Sequence, residues 1–398
     1  METILAGDIG GTNTRLMLYN VDSNDPCVFK TLGSGKVAPG QLILNKKYMN
    51  ENYDSFTAVV KQFFIDAGVR DDKPPVAACL AVAGPVKDNI VCFTNRKSWT
   101  INGDELALSL GIKSVKLIND FLAVGYGLLT LGGEHDVLVL QEGERNHSAP
   151  IACIGAGTGL GQCYLTPSKD GSYQCFPSEG GHAEFAPRDD FEIGLLKFLL
   201  KKFNQKHRVS VERVISGHGL ENIYEYLCTI NPNKIDQTVH KKIQEAGDLK
   251  AAIIATNNHN ELCSKAMDTF ITAYGAEAGV AALKWLPFGG LYITGGMTPK
   301  NIDLIATGPN GKFMKALKDK GRVSGILNNI PIYAVLVEDV GERGAHFMAY
   351  KEFQEIIKSS KQETKNTSIS SYFSLTNVSI GLLITGGIAA AAILIRKK

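Results

Sequence analysis

Neither an excess of charge nor a paired-thiol motif marks this chain of 398 residues. Its 42 Lys and Arg nearly balance 40 Asp and Glu, and a net charge of +2 gives no electrostatic case for a nucleic-acid partner. Its eight cysteines include no C-x-x-C pair. They read as small buried hydrophobes in a reducing cytosol, not as zinc ligands. No secretory signal precedes the first strand-like run. The phosphate-loop signature G-x-x-x-x-G-K-[ST] is missing throughout. The run Gly155-Ala156-Gly157-Thr158-Gly159-Leu160-Gly161 lacks the third glycine of a G-x-G-x-x-G fingerprint and leads into a strand, which argues against a dinucleotide fold. What remains is an ordinary globular composition, 44% apolar and 21% charged, in a chain long enough for two domains.

What is present begins at Gly7-Asp8-Ile9-Gly10-Gly11-Thr12-Asn13-Thr14-Arg15, set between the apolar runs Ile4–Ala6 and Leu16–Tyr19. That pattern is strand, glycine turn, strand. Glycines let backbone N–H groups approach a bulky anion, and Asp8 is placed to meet a phosphate-bound Mg²⁺. The plainer reading is a hairpin with a glycine bulge. Ile151–Leu165 repeats the plan around the second glycine turn. Two copies predict two similar α/β domains, each offering a hairpin to a ligand between them. Further along, periodicity predicts helices over Ser55–Ala67, Phe121–Leu131, Asp189–Phe203, Glu261–Trp285 and Gly344–Ile357. Buried strands are predicted over Pro75–Ala83, Val115–Ile118, Leu291–Thr294 and Ile332–Val337.

Four further segments carry candidate chemistry. Asn119-Asp120 ends a strand, where ligands bind in α/β sheets. Asp120 reads either as a general base toward an alcohol or as a helix N-cap. Glu179-Gly180-Gly181-His182 places a carboxylate and an imidazole around a flexible turn that can converge on hydroxyls, or simply face solvent. Ser210-Val211-Glu212-Arg213 looks like a helix start capped by Ser210, with Glu212 a solvated first-turn acid. Thr294-Gly295-Gly296-Met297 is either a plain strand-to-helix connection or a backbone surface flat enough for an adenine ring.

Taken together and in this order, these segments resemble a glucokinase of the bacterial type, in the hexokinase branch of the actin-like ATPase superfamily. The resemblance runs over roughly residues 3 to 350. It implies two actin-like, ribonuclease H-like α/β domains flanking a cleft, and transfer of the ATP γ-phosphoryl to the 6-hydroxyl of D-glucose. It implies that Asp120 is the catalytic base, and that Asn119, Asp120, Glu179, His182 and Glu212 bind the sugar. Gly7, Asp8, Gly10, Gly11, Thr12, Asn13, Gly157, Thr158, Gly159, Gly295 and Gly296 match the nucleotide loops, with Asp8 acting on the ATP-bound Mg²⁺. The cysteine-rich zinc motif of the related repressor/kinase group is absent: Cys153, Cys163 and Cys175 are too widely spaced. A kinase for mannose or glucosamine, or a silent membrane-bound sugar sensor, stands as the alternative.

No charged residue occurs between Lys365 and Arg396, and Val378–Ile395 is almost wholly apolar or small. Length and the missing polar face predict a transmembrane tail anchor over 373–395. A linker over 357–372 would precede it. The expected division is a small domain over 1–130 completed by about 337–356, and a large domain over 131–336. The expected location is the cytosolic face of an organelle membrane, the mitochondrial outer membrane first. Glucose, ATP and the membrane are the expected partners, with room for a homodimer.

Overall fold

The structure is a computed structural model that describes residues 1–24, 37–93 and 99–362. Two sheets organise it. The first holds β1 (Glu2–Ile9), β2 (Asn13–Val21), β3 (Gln41–Met49), β4 (Ala77–Val82) and β7 (Ser114–Asn119), in the order β3-β2-β1-β4-β7. A short ribbon of β5 (Ile90–Cys92) and β6 (Thr100–Asn102) stands beside it. The second sheet holds β8 (Val137–Gln141), β9 (Ile151–Ala156), β10 (Leu160–Pro167), β11 (Tyr173–Ser178), β12 (Gly290–Thr294) and β13 (Ile332–Val335), in the order β11-β10-β9-β12-β13-β8.

The sheets repeat one another. In each, the strand before the glycine turn pairs antiparallel with the next strand and parallel with a later one: β1 with β2 and β4, β9 with β10 and β12. The sequence echo between Ile4–Tyr19 and Ile151–Leu165 is therefore an echo of topology. Strand β8 extends the second sheet antiparallel at its edge.

Both faces of β1, β4 and β9 are covered, which is why these segments read as unbroken apolar runs. Along β1, Ile4 and Ala6 join one core, and Leu5 and Ile9 join another. The second of these packs against α1 (Phe56–Asp66), capped by the Ser55 hydroxyl, and α2 (Gly103–Leu110), capped by Asn102 and closed by Gly111 at φ +68°. Between the sheets lies α3 (Asp120–Leu128), with a C-terminal helix across 340–362 pressed onto it. A Cβ at Gly344 would stand 1.7 Å from the Ala123 carbonyl, and one at Gly127 would stand 1.9 Å from that of Val340, so only glycine permits this crossing. The same helix reaches the first sheet through Glu352, which accepts from the Ser114 hydroxyl at 2.7 Å.

The second sheet is backed by α4 (Asp190–Lys202), α5 (Gly217–Ile230), α6 (Gln237–Glu245), α7 (Lys250–Thr256) and the long α8 (Glu261–Trp285). The predicted bounds of α8 agree with those observed. The tail anchor predicted over 373–395 lies outside the described residues. None of the described helices is long and apolar enough to cross a membrane.

Candidate active site

Strand β7 delivers Asp120 to the cleft as the first residue of α3. The cap of that helix is Asn119, whose Oδ1 accepts from the Phe121 and Leu122 amides at 2.9 and 3.2 Å. The N-cap reading of Asp120 thus passes to its neighbour. One oxygen of Asp120 also accepts from the Phe121 amide, at 2.8 Å, which fixes the carboxylate against the helix start. Burial is the main cause that pushes its pKa up to about 6, and the nearby negative charges of Asp8 and Glu179 push the same way. A carboxyl poised there can take up and release a proton near neutral pH. Asn119 Nδ2 donates to the Gly84 carbonyl at 3.2 Å, which leaves its second N–H for a ligand.

Glu179 and His182 flank a short turn over Gly180–His182, with Oε2 and Nε2 3.8 Å apart and both side chains largely exposed. They are open to an incoming polar ligand, and Glu179 is close enough to act electrostatically on Asp120. Glu212 departs from the expectation of a solvated acid. It is half-buried, and its Oε2 accepts from the Leu160 amide at 3.0 Å, at the end of the second glycine turn. Gly159 makes this possible, because a Cβ there would stand 2.5 Å from that oxygen. Ser210 makes no side-chain cap. Ser216 caps the helix that follows, accepting from the Gly219 amide at 2.9 Å.

The first glycine turn, Gly10 to Thr12, is held from a distance. Asn50, buried just after β3, donates from Nδ2 to the Gly10 carbonyl at 2.9 Å and accepts from the Thr14 hydroxyl at 2.8 Å. Its backbone N–H donates to the Thr12 carbonyl at 2.9 Å. Gly11 and Thr12 are exposed, and a Cβ at Gly11 would meet nothing within 4 Å. Gly7 sits inside β1, where a Cβ would press on Leu80 and Leu16. Asp8 stands opposite Arg15 across the hairpin. Burial raises its carboxyl pKa, and the Arg15 charge opposes that rise. Arg15 also pairs with Glu342 of the C-terminal helix at 3.1 Å, tying the hairpin to the element between the sheets.

The second turn is tied at both ends, by Glu212 on Leu160 and by the Gly217 amide, which donates to the Gly157 carbonyl at 2.8 Å. Beside it lies a cavity of about 670 Å³. Gly157, Thr158 and Gly296 line it, together with His218, Ala251 and Lys300, which the sequence did not single out; Gly159 and Gly295 are not in its lining. The small residues of α7 face this space. Gly295 takes φ +82°, a left-handed backbone that glycine supplies at least cost. The structure thus gathers Asp8, Asp120 and Glu179 at one place, and the second and third glycine turns at one cavity wall.

Two repeated sheets flanking carboxylate-lined ends of strands, with a large cavity behind glycine turns, define a two-domain sugar kinase of α/β architecture. The glucokinase family model matches residues 5–352. The chain is 43% identical over 355 residues to the glucokinase of Synechocystis sp., covering 86% of this chain and 96% of that protein. It superposes on a glucokinase from an Antarctic psychrotroph with a TM-score of 0.68 at 26% identity, covering 88% of this chain and 99% of the other. It also superposes on a ROK family glucokinase from Streptomyces griseus, in complex with glucose and AMPPNP, with a TM-score of 0.56 at 17% identity and coverage of 88% and 99%. The chain belongs to the glucokinase family, whose members are phosphotransferases.

The same relatives correct the expected location. They are bacterial enzymes, and 96% and 99% of the length of two of them is matched by 86% and 88% of this chain. The family match ends at residue 352. Placement on an organelle membrane, the mitochondrial outer membrane in particular, does not stand.

Proposed function

We propose that the chain phosphorylates D-glucose at its 6-hydroxyl with ATP, giving glucose 6-phosphate, and that Asp120 is the base. The observation that carries this reading is the placement of Asp120. It is a half-buried carboxylate whose pKa desolvation pushes up to about 6, fixed at a helix start near Asp8 and Glu179. In this reading Asp120 orients the 6-hydroxyl and takes its proton as the oxygen attacks phosphorus. Asn119, Glu179, His182 and Glu212 accept and donate to the ring hydroxyls, and a site built that way rejects sugars that lack one. Glu212 keeps one oxygen for this task while the other holds Leu160.

The Gly10 and Gly157 amides close their own turns on the Asn13 and Gly159 carbonyls, and the remaining amides of the Gly10–Thr12 and Gly157–Gly159 turns, with Asn13 beside the first, hold the phosphates. Gly296 lines the 670 Å³ cavity and, with Gly295 turning the chain beside it, faces the base. Asp8 fits a phosphate-bound Mg²⁺: it is a hard oxygen donor, largely buried, with no side-chain hydrogen bond among the described residues. Such a cation neutralises phosphate charge when bound. We take residues 1–130 with about 337–356 as the small domain and 131–336 as the large one, both of actin-like type. The contact of the 340–362 helix with Ser114 supports that division. Closure of the two over the ligands would exclude water from the phosphoryl group.

A coupled assay with glucose, mannose and glucosamine against ATP, ADP and pyrophosphate tests the reading. The highest kcat/KM is expected for glucose with ATP. No turnover with any pair would leave a sugar-binding protein without catalysis, and a higher value for mannose or glucosamine would move the substrate.

A further inference from the structure

The parallel ladder between β9 and β12 ends at Gly155 opposite Thr294. One residue on, Gly295 turns away, with its backbone against Ala156: a Cβ there would stand 2.4 Å from the Ala156 carbonyl. At this end of the ladder the Ala156 N–H donates to the phenol oxygen of Tyr274 at 3.2 Å. That hydroxyl donates across the gap to the Thr294 carbonyl at 2.9 Å. The Thr298 hydroxyl donates to the same carbonyl at 2.7 Å and lies 3.2 Å from the phenol oxygen. Tyr274 is fully buried in the middle of α8, its ring packed edge-on to Phe313 and tilted against Phe270. Sequence distance hides the arrangement, since 118 residues separate Tyr274 from Ala156.

Ala156 and Thr294 immediately precede the two turns, Gly157-Thr158 and Gly295-Gly296, whose Gly157, Thr158 and Gly296 line the 670 Å³ cavity. We infer that Tyr274 is a positioning residue for the phosphoryl donor: its single hydroxyl bridges the two strand ends and sets the spacing between the second and third glycine turns. It touches no substrate and acts through the backbone of Ala156 and Thr294. Without the hydroxyl, the Ala156 N–H and the Thr294 carbonyl lose their shared partner, and the strand ends are free to separate. A small displacement of a phosphate-binding turn is costly because phosphoryl transfer depends on alignment. Glu179 and His182 lie on the turn after β11, two strands from β9, and Glu212 holds the far end of the second turn at Leu160, so the sugar side is expected to stay put.

The inference rests on ATP lying against these two turns. Its test is the full chain carrying Tyr274→Phe, measured with both substrates varied and with thermal unfolding followed in parallel. The KM for ATP is expected to rise by about fivefold or more while the KM for glucose stays within about twofold. An unchanged KM for ATP, even with a lowered melting temperature, would reduce Tyr274 to a core residue and overturn the inference, as would equal rises for both substrates. If Tyr274→Phe does not fold, Thr298→Ala decides the matter. It leaves the phenol in place but removes the second donor to Thr294, and a smaller rise confined to ATP is expected. No change there would also overturn the inference. Failure of the underlying kinase reading is seen separately, as absent turnover in the unaltered chain.

Discussion

The two glycine hairpins repeat one topology and are supported in opposite ways. The first turn is braced by one residue, Asn50, which supplies three of its hydrogen bonds from a loop about 40 positions away. A Cβ at Gly11 would meet nothing within 4 Å, and one at Gly10 only the Asn13 carbonyl at 3.6 Å. The second is boxed in: Glu212 and Gly217 hold it directly, and Cβ atoms at Gly159 and Gly161 would strike Glu212 and the Phe121 ring at 2.5 and 1.9 Å. Glycine serves ligand access in the first hairpin, and packing as well in the second. On the proposed reading, a turn that yields as the domains close can have a single brace, and a turn built into the wall of the 670 Å³ cavity cannot.

That contrast is open to attack by mutation. The largest effect is expected from Asn50→Ala, which releases the first turn. kcat/KM for ATP should fall by about 10²-fold in steady-state assays, since misplacement near 1 Å costs that much. An effect under threefold would show that the turn is rigid without its brace. Next, Gly161→Ala should push on Phe121, whose amide holds Asp120. Thermal or urea unfolding should show about 1–3 kcal/mol lost, with kcat reduced about tenfold. Gly11→Ala should do the reverse: stability within about 0.5 kcal/mol of the parent, but a KM for ATP several-fold higher. Equal destabilisation by the two substitutions would erase the distinction.

A fourth expectation concerns pH. Asp120 must be ionised to act as a base, and burial lifts its pKa to about 6. Thus kcat/KM for glucose should fall about tenfold per pH unit below about 6 and level off above it. The linkage runs the other way for stability. A carboxyl whose pKa is raised on folding stabilises the fold while protonated, and that contribution is lost as pH climbs from the unfolded value of 3.8 toward about 6. At neutral pH the ionised Asp120 is therefore a net cost to the fold.

How much of this was legible in the sequence follows from the range of each contact. Asp120, the three glycine turns and the ends of α8 are set by neighbours in the chain, and pattern alone locates them. Strand β3 was missed because its side chains are mostly exposed and its sequence, Gln41–Met49, does not alternate cleanly. The wall supplied by α7 was missed as well. Asn50 and Tyr274 could not be found locally, because each acts on backbone 36 or more residues distant. Glu212 was misread because its partner, the Leu160 amide, exists only once the two segments meet. Buried polar residues that hold turns leave no periodic trace.

The most direct test of the central claim is the turnover number of Asp120→Asn with glucose and ATP, taken beside its melting temperature at pH 7. The account predicts a loss of about 10²–10⁴-fold in kcat, glucose binding largely retained, and a protein more stable by about 1–3 kcal/mol once the buried charge beside Asp8 and Glu179 is gone. Turnover within threefold of the parent would contradict it, because the carboxylate at position 120 would then not be the base.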